Sequence, residues 1–245
     1  MMDKNTIHIS WNEITSMCVK LFRGTSMDIG HAEEASTAIS RMESWCGTGL
    51  KYVYDIYNEI SPTDNLGVKF IIKKPHLLVI EGNNQTIFKI SEAIDFIKAH
   101  TIKYGYVICH IHNFKHEGIL PSLLYKNYTG DIQLSAQMMS RNVLTIIQNI
   151  QTFNNPQISE YNMPDYMESK GMITIYAYDS KHFNLLDFQP KSLPNHILPP
   201  EILREKLLQA QMTGLSVNKE IWEWAQKKSK KILVPESERS NSQAG

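Results

Sequence analysis

The sequence predicts an α/β protein with a helical N-terminal segment, a central mixed sheet with flanking helices, and a C-terminal helical pair. Three observations carry that prediction. Apolar residues recur at helical spacing from Ile14 to Ile60, short β-branched runs take over from Val68, and helical spacing returns after Pro200. The divisions that follow are a helical segment over 1-64, an α/β domain over 65-198, helices over 199-234 that pack back on the first segment, and a polar tail over 235-245. That tail has no periodicity, so it is expected to be mobile. At 245 residues the chain is long enough to bury a full core, in one large domain or two small ones.

Ser10-Trp-Asn-Glu13 fits a capping box, in which the serine hydroxyl accepts a first-turn N–H and the glutamate reaches back to the cap. Ile14, Met17, Cys18 and Leu21 then form one apolar face, and Gly24 suits the stop. A second helix opens at Asp28 and carries Ala32, Ala35, Ala38, Ile39 and Met42, small residues that let another backbone approach closely. A third runs from Tyr52 to Ile60 and ends before the turn-forming Ser61-Pro-Thr-Asp-Asn65.

Val68 to Ile72 and His76 to Ile80 read as strands joined by Lys73-Lys-Pro75, and Gly82-Asn-Asn84 reads as a turn. Thr86 to Ile90 fits a strand or an extended lead-in to a helix capped by Ser91, carrying Ile94, Ile97 and Ile102, and ended by Gly105. Tyr106 to His112 is the next strand, Ile119 to Tyr128 a helix, and Asp131 to Leu134 the start of another strand. From Ser135 to Ile150 a buried strand and a helix fit equally well. Asn154 to Pro164 reads as loop, Met172 to Tyr178 as an alternating strand, and Asp179 to Pro200, with its prolines, as an irregular connection. Pro199 and Pro200 suit a first helical turn leading Glu201 to Met212, with Leu203, Leu207 and Leu208 on one face. Gly214 ends that helix and Ser216 caps the last one, which carries Ile221, Trp222, Trp224 and Ala225. No solenoid-like repeat is evident.

Basic and acidic side chains balance at 25 each, so no global field recruits nucleic acid or an anionic membrane, and neither partner is expected. Lys227, Lys228, Lys230 and Lys231 offset the dipole of the closing helix. Cys18, Cys46 and Cys109 are scattered without metal spacing, which favours free thiols in a reducing compartment. No run reaches the ~20 apolar residues of a membrane helix, and Met1 to Thr6 lacks a signal-peptide apolar region, so a cytoplasmic protein is expected. Neither GxGxxG nor GxxxxGK[ST] occurs among the 12 glycines.

The most informative stretch is Tyr106-Val-Ile-Cys-His-Ile-His-Asn-Phe-Lys-His-Glu-Gly118, an apolar strand that runs straight into a polar turn carrying His116 and Gly118. The order helix, Gly105, strand, then Asn113-Phe-Lys-His116-Glu-Gly118 resembles the malate/L-lactate (sulfolactate) dehydrogenase-like oxidoreductases, whose pattern is a helix ending in Gly, a strand and Asn-x-x-His-x-Gly. That family begins with an Ala-rich helical pair followed by an Arg...Ser-His-Gly stretch and a Tyr-containing helix; the stretch corresponding to the last two here is Arg41 to Leu50, then Tyr54 and Tyr57. Thr48 stands where that family has its N-terminal histidine, and threonine carries no proton charge near neutral pH. The family's Gly-Thr-Asn-Pro motif has only a weak echo in Asn154-Asn-Pro156.

The resemblance implies that His116 is the acid/base for a substrate hydroxyl or carbonyl and that Asn113 and Gly118 lie against an NAD or NADP cofactor; Arg41 or Lys115 is the candidate anchor for the carboxylate of a small-molecule substrate, and Thr48 a further candidate substrate contact. The function implied is a reduced NAD(P)-dependent oxidoreductase acting on a small 2-hydroxy/2-oxo acid, or a metabolite-binding relative without activity. A different class of reading is a non-catalytic subunit or assembly protein, a homodimer or hetero-oligomer built through the small-residue helices and C-terminal aromatics. A second resemblance covers the ends: Ile9-Ser-Trp-Asn-Glu13, Arg23-Gly24, Ile29-Gly-His-Ala-Glu-Glu-Ala35 and Val234-Pro-Glu-Ser-Glu-Arg-Ser240 look like a bacterial family of uncharacterised proteins.

Other chemistries find less support. His110, His112 and His116 have a spacing that puts two imidazoles on one strand face, but only Glu117 stands nearby to complete a metal site, and none is assigned. Ser122 and Ser135 lack a GxSxG setting. Cys109, within an apolar strand, is a poor nucleophile. Trp222, Trp224, Tyr125 and Tyr128 fit core or interface better than a base-stacking surface.

Overall fold

The computed structural model describes residues 5–60, 69–83, 87–125, 132–140, 143–149, 156–162, 172–179 and 193–230. Outside them lie the expected turn at Ser61 to Asn65, the expected helix end at Tyr128, positions 180–192 of the proline-rich connection, and the tail. In chain order the elements are β1 (Thr6–Ile9), α1 (Trp11–Arg23), α2 (Ile29–Cys46), α3 (Gly49–Ile56), β2 (Lys69–Lys74), β3 (Leu77–Glu81), α4 (Ile90–Tyr104) and β4 (Tyr106–His112). There follow α5 (Leu120–Leu124), β5 (Ile132–Ser140), β6 (Val143–Asn149), β7 (Pro156–Asn162), β8 (Ile173–Asp179), β9 (His196–Leu198), α6 (Pro200–Thr213), β10 (Leu215–Asn218) and α7 (Lys219–Ser229). The protein is α/β, with helices at both ends of the chain and a mixed sheet between them. It divides into two compact units, Met1–Asn65 with Gln209–Gly245, and Leu66–Leu208.

In the first unit α1 opens with the full capping box of Ser10 and Glu13, and α2 is capped by Asp28, whose Oδ1 accepts the His31 N–H at 3.0 Å. The two helices bury Ile14, Cys18, Leu21 and Phe22 against Ala32, Ala35, Ala38 and Ile39. α7 packs on α1 and α3; Trp222 is buried, and Trp224 meets Tyr54 and Tyr57 edge-on at 4.9 and 5.4 Å between centroids. A small antiparallel pair, β1 with β10, joins Thr6 to Asn218 and Ile9 to Leu215. The sequence reading missed both strands. Ser216 therefore lies inside β10, and the cap of α7 is Asn218, whose Oδ1 accepts the Ile221 N–H at 3.1 Å. Gly214, at φ +85°, ends α6 and passes so close to β1 that a side-chain carbon there would sit 2.7 Å from the Ile9 carbonyl oxygen.

In the second unit the described strands form one eight-stranded sheet of order β2-β3-β4-β8-β5-β6-β7-β9. Every neighbouring pair is antiparallel except β3 and β4, which run parallel and so need the crossover that α4 supplies. α4 lies along β4, β8 and β5 and buries Ala93, Ile94, Ile97 and Thr101. Gly105 ends it at φ +87°. β4 alternates, with Val107, Cys109 and Ile111 buried and Tyr106, Ile108, His110 and His112 half-buried.

Several expectations are corrected here. Ile87–Lys89 is a 3-10 turn, with Ile87 and Phe88 fully buried, rather than a strand or an extended lead-in. The ambiguous stretch after Ser135 resolves into the antiparallel pair β5 and β6. The loop expected from Asn154 contains β7, whose Pro156 stands first in its strand, where a missing N–H is tolerated. His196–Leu198, within the supposed irregular connection, pairs with β7 as the edge strand β9. In α6 the buried positions are Leu203 and Ala210 while Leu208 is 48% exposed, so its apolar stripe is narrower than three leucines implied. Among the described residues no helix is long and apolar enough to cross a membrane.

Candidate functional site

β3 and β4 lie side by side and in parallel, so their carboxyl ends open at the same end of the sheet, where ligands of α/β proteins commonly bind. The last register pair is Glu81 with His112. Beyond it the two chains stay fastened, with the Gly82 N–H donating to the His112 carbonyl at 2.8 Å. Only glycine fits there: a side-chain carbon on Gly82 would lie 2.5 Å from the Phe114 ring and 2.8 Å from the Asn113 carbonyl oxygen.

The turn that leaves β4 is held from several sides. Asn113 is left-handed at φ +56°, and its Nδ2 donates to Glu81 Oε1 and Oε2 at 3.0 and 3.1 Å. Asn83, left-handed at φ +49°, donates its backbone N–H to Glu81 Oε1 at 3.0 Å. Phe114 is buried, and the Lys115 carbonyl accepts the Ile87 N–H at 3.0 Å, tying the turn to the start of the crossover. His116 follows at φ +66° and ψ +38° and leads the 3-10 turn Glu117–Ile119. Its half-buried side chain makes no capping hydrogen bond to that turn, so capping does not account for a histidine here. Lys115 and Gly118 are exposed.

The electrostatics agree with this geometry. The Asn83 N–H, then the Asn113 amide, hold the Glu81 carboxyl below the usual carboxylate range against a small opposing effect of burial, with His112 and Lys69 adding. His110 lies farther back on the same face as His112, its Nδ1 sharing a hydrogen bond of 3.1 Å with Thr174 Oγ1. Burial, and then the neighbouring His112, push its imidazole below the ordinary value. Burial pushes the Cys109 thiol well up, consistent with a poor nucleophile. Among the described residues no group of three His, Cys, Asp or Glu side chains converges as a metal site.

Of the residues singled out in the sequence, Asn113, Lys115, His116 and Gly118 stand together at this corner of the second unit, whereas Arg41 and Thr48 belong to the first. Arg41 lies half-buried on α2. Thr48 is exposed just before α3, and its side chain does not cap that helix. Glu43 does so instead: its buried carboxylate accepts the Leu50 N–H at 2.8 Å and also that of Gly49. α3 begins at Gly49, earlier than Tyr52, and a side-chain carbon there would collide with the Ile39 carbonyl. Glu81 was not found from the sequence; its signal was an acidic residue closing an apolar strand before Gly-Asn.

Comparison with known proteins gives a family model, a protein of unknown function (DUF3726), that matches residues 9–62. No curated protein matches the chain. Solved structures do. Malate dehydrogenase from Entamoeba histolytica aligns at TM-score 0.68 and 10% identity, covering 95% of this chain and 99% of that one. A dehydrogenase from Sinorhizobium meliloti aligns at 0.71 and 10%, covering 91% and 99%. Sulfolactate dehydrogenase from Methanocaldococcus jannaschii aligns at 0.63 and 10%, covering 92% and 97%. At such identity the shared property is the fold, and this chain has the fold of the malate, lactate and sulfolactate dehydrogenase type.

Proposed function

We propose that the protein is an NAD(P)-dependent oxidoreductase acting on a small 2-hydroxy/2-oxo acid, with His116 as its acid/base. The observation that carries this reading is the turn at the ends of β3 and β4, which holds an imidazole in a left-handed backbone on a dehydrogenase-type fold. Backbone of that kind persists where surrounding contacts over-determine it, as they do at binding and catalytic sites.

The donor set of the corner fits the nicotinamide end of such a cofactor. With Nδ2 committed to Glu81, Asn113 has its Oδ1 acceptor left for a carboxamide N–H. The exposed Gly118 leaves the turn open beside His116. When bound, the cofactor supplies or accepts the hydride. The chain's own part is proton transfer: in reduction His116 hands its proton to the carbonyl oxygen of the 2-oxo acid, and in oxidation it takes the proton of the hydroxyl. Lys115, in the same turn as His116, is the cation proposed to hold the substrate carboxylate.

Fluorescence titration with NADH and NADPH tests the binding half of this reading. Saturable binding of one nucleotide, retained in His116→Ala, is expected. Failure of both to bind at millimolar concentration contradicts it. Thr48, standing where the resembling dehydrogenases carry a histidine, favours a second reading as a metabolite-binding or assembly subunit without turnover, in a homodimer or hetero-oligomer; binding without reaction is its signature.

A further inference from the structure

The corner at the ends of β3 and β4 holds the Glu81 carboxylate beside the His116 turn. Building on the reading of His116 as the proton-transferring group, we propose that Glu81 is the positioning residue of the site, clamping Asn83 and Asn113 so that the His116 turn keeps its conformation. Both carboxylate oxygens are engaged by the Asn113 amide, and one also by the Asn83 N–H. The residues so held are unusual. Among the described residues the non-glycine positions with positive φ are Ser26, Asn83, Asn113 and His116, and the last three all stand in this corner. Such backbone is uncommon for side chains with a Cβ; asparagine and histidine adopt it more readily than most, and three such positions in one corner mark a constrained turn.

Several contacts constrain this backbone. Gly82 lets Phe114 and the Asn113 carbonyl press against the end of β3, its N–H holds His112, and the Lys115 carbonyl takes the Ile87 N–H. Those backbone contacts bracket the turn, and the Asn113 side chain is held by its two hydrogen bonds to Glu81. Remove the carboxylate and the Asn113 amide loses its partner, so the left-handed step that aims the chain toward His116 loses its restraint. What the corner needs at position 81 is an acceptor of this shape more than a charge. A glutamine at position 81 presents its own NH2 toward that of Asn113, and the pair recovers only if the Asn113 amide turns over.

The test compares Glu81→Ala and Glu81→Gln with the native protein by proton NMR of the histidine ring signals, the His116 signal being assigned through His116→Ala. In Glu81→Ala the His116 signal is expected to move or split while that of His196, on the far edge strand, stays in place; in Glu81→Gln it returns toward the native position. Where turnover of NAD(P)H with a 2-oxo acid is measured, kcat should fall about a hundredfold in Glu81→Ala, as for ångström-scale misplacement of an acid/base group. KM should change little, and Glu81→Gln should restore most of the loss. A His116 signal in Glu81→Ala that superimposes on the native one overturns the proposal. So does an equal loss of turnover in both variants with the His116 signal unmoved. If the native protein binds no nucleotide and turns nothing over, the functional reading falls, and the NMR comparison still decides whether Glu81 positions His116. Should Glu81→Ala fail to fold, the ring-signal comparison is made on Asn113→Ala, which removes the other partner of the same contact; an unmoved His116 signal there overturns the proposal.

Discussion

Two carboxylates show how the same side chain takes opposite roles at the scale of single residues. Glu81 is half-exposed and gathers N–H donors, which holds its carboxyl below the ordinary range; the stability it contributes is present above the unfolded value and is lost as pH falls through the folded one. Glu43 is buried, and burial outweighs the Leu50 and Gly49 amides, so its carboxyl is raised above the ordinary value of 4.5. The sign is then reversed: its contribution is fully present below the unfolded pKa and is lost as pH rises through the folded one. Glu43→Gln removes that titration while keeping an acceptor for the start of α3. Denaturant midpoints of variant and native protein, compared from pH 4 to pH 8, should diverge in favour of glutamine as pH rises. A difference that stays flat or shrinks over that range would show that Glu43 is not held as a costly buried anion. His116 was legible in the sequence because strand and turn are local patterns. Glu81 was not, because its role depends on a parallel partner reached through a whole crossover helix.

At the scale of elements, legibility follows the range of the contacts that make each one. Ser10 and Glu13 announce α1, Asp28 announces α2, and Gly105 ends α4, all through bonds spanning a single turn. β1 pairs with β10 from the opposite end of the chain, and β9 forms only because β7 offers it an edge. Neither has a strong pattern of its own. The start of α1 offers a direct measure of a local signal: Ser10→Ala should lower stability by about 1 kcal/mol, read as a shift in the denaturant midpoint at unchanged slope, and no shift would mean that Glu13 alone satisfies the helix start. The edge strand β2 shows a different device. Lys69, Lys73 and Lys74, with a register irregularity between Phe70 and Ile72, blunt an edge on which Ile71 is 54% exposed. Behind it Phe70 and Phe96 pack at 4.4 Å between centroids with the Lys73 ammonium 4.9 Å from the Phe70 ring, fastening the hairpin to α4.

For the whole molecule, the fold class was readable because the alternation of periods along the chain mirrors helix, sheet and helix. The likeness to solved dehydrogenases, extending over 91% or more of this chain at 10% identity or less, agrees with a fold written in patterns more than in particular residues. The candidate site was readable only in its central part, from Asn113 to Gly118. The central claim is that His116 transfers a proton in a nicotinamide-dependent reaction, and the most direct measurement is the rate of NADH and NADPH oxidation with a panel of small 2-oxo acids, for the native protein and His116→Ala. The account predicts measurable turnover with at least one acid and a loss of about a hundredfold or more in the variant. Equal rates in the two proteins, or nucleotide binding without turnover of any acid, would contradict it.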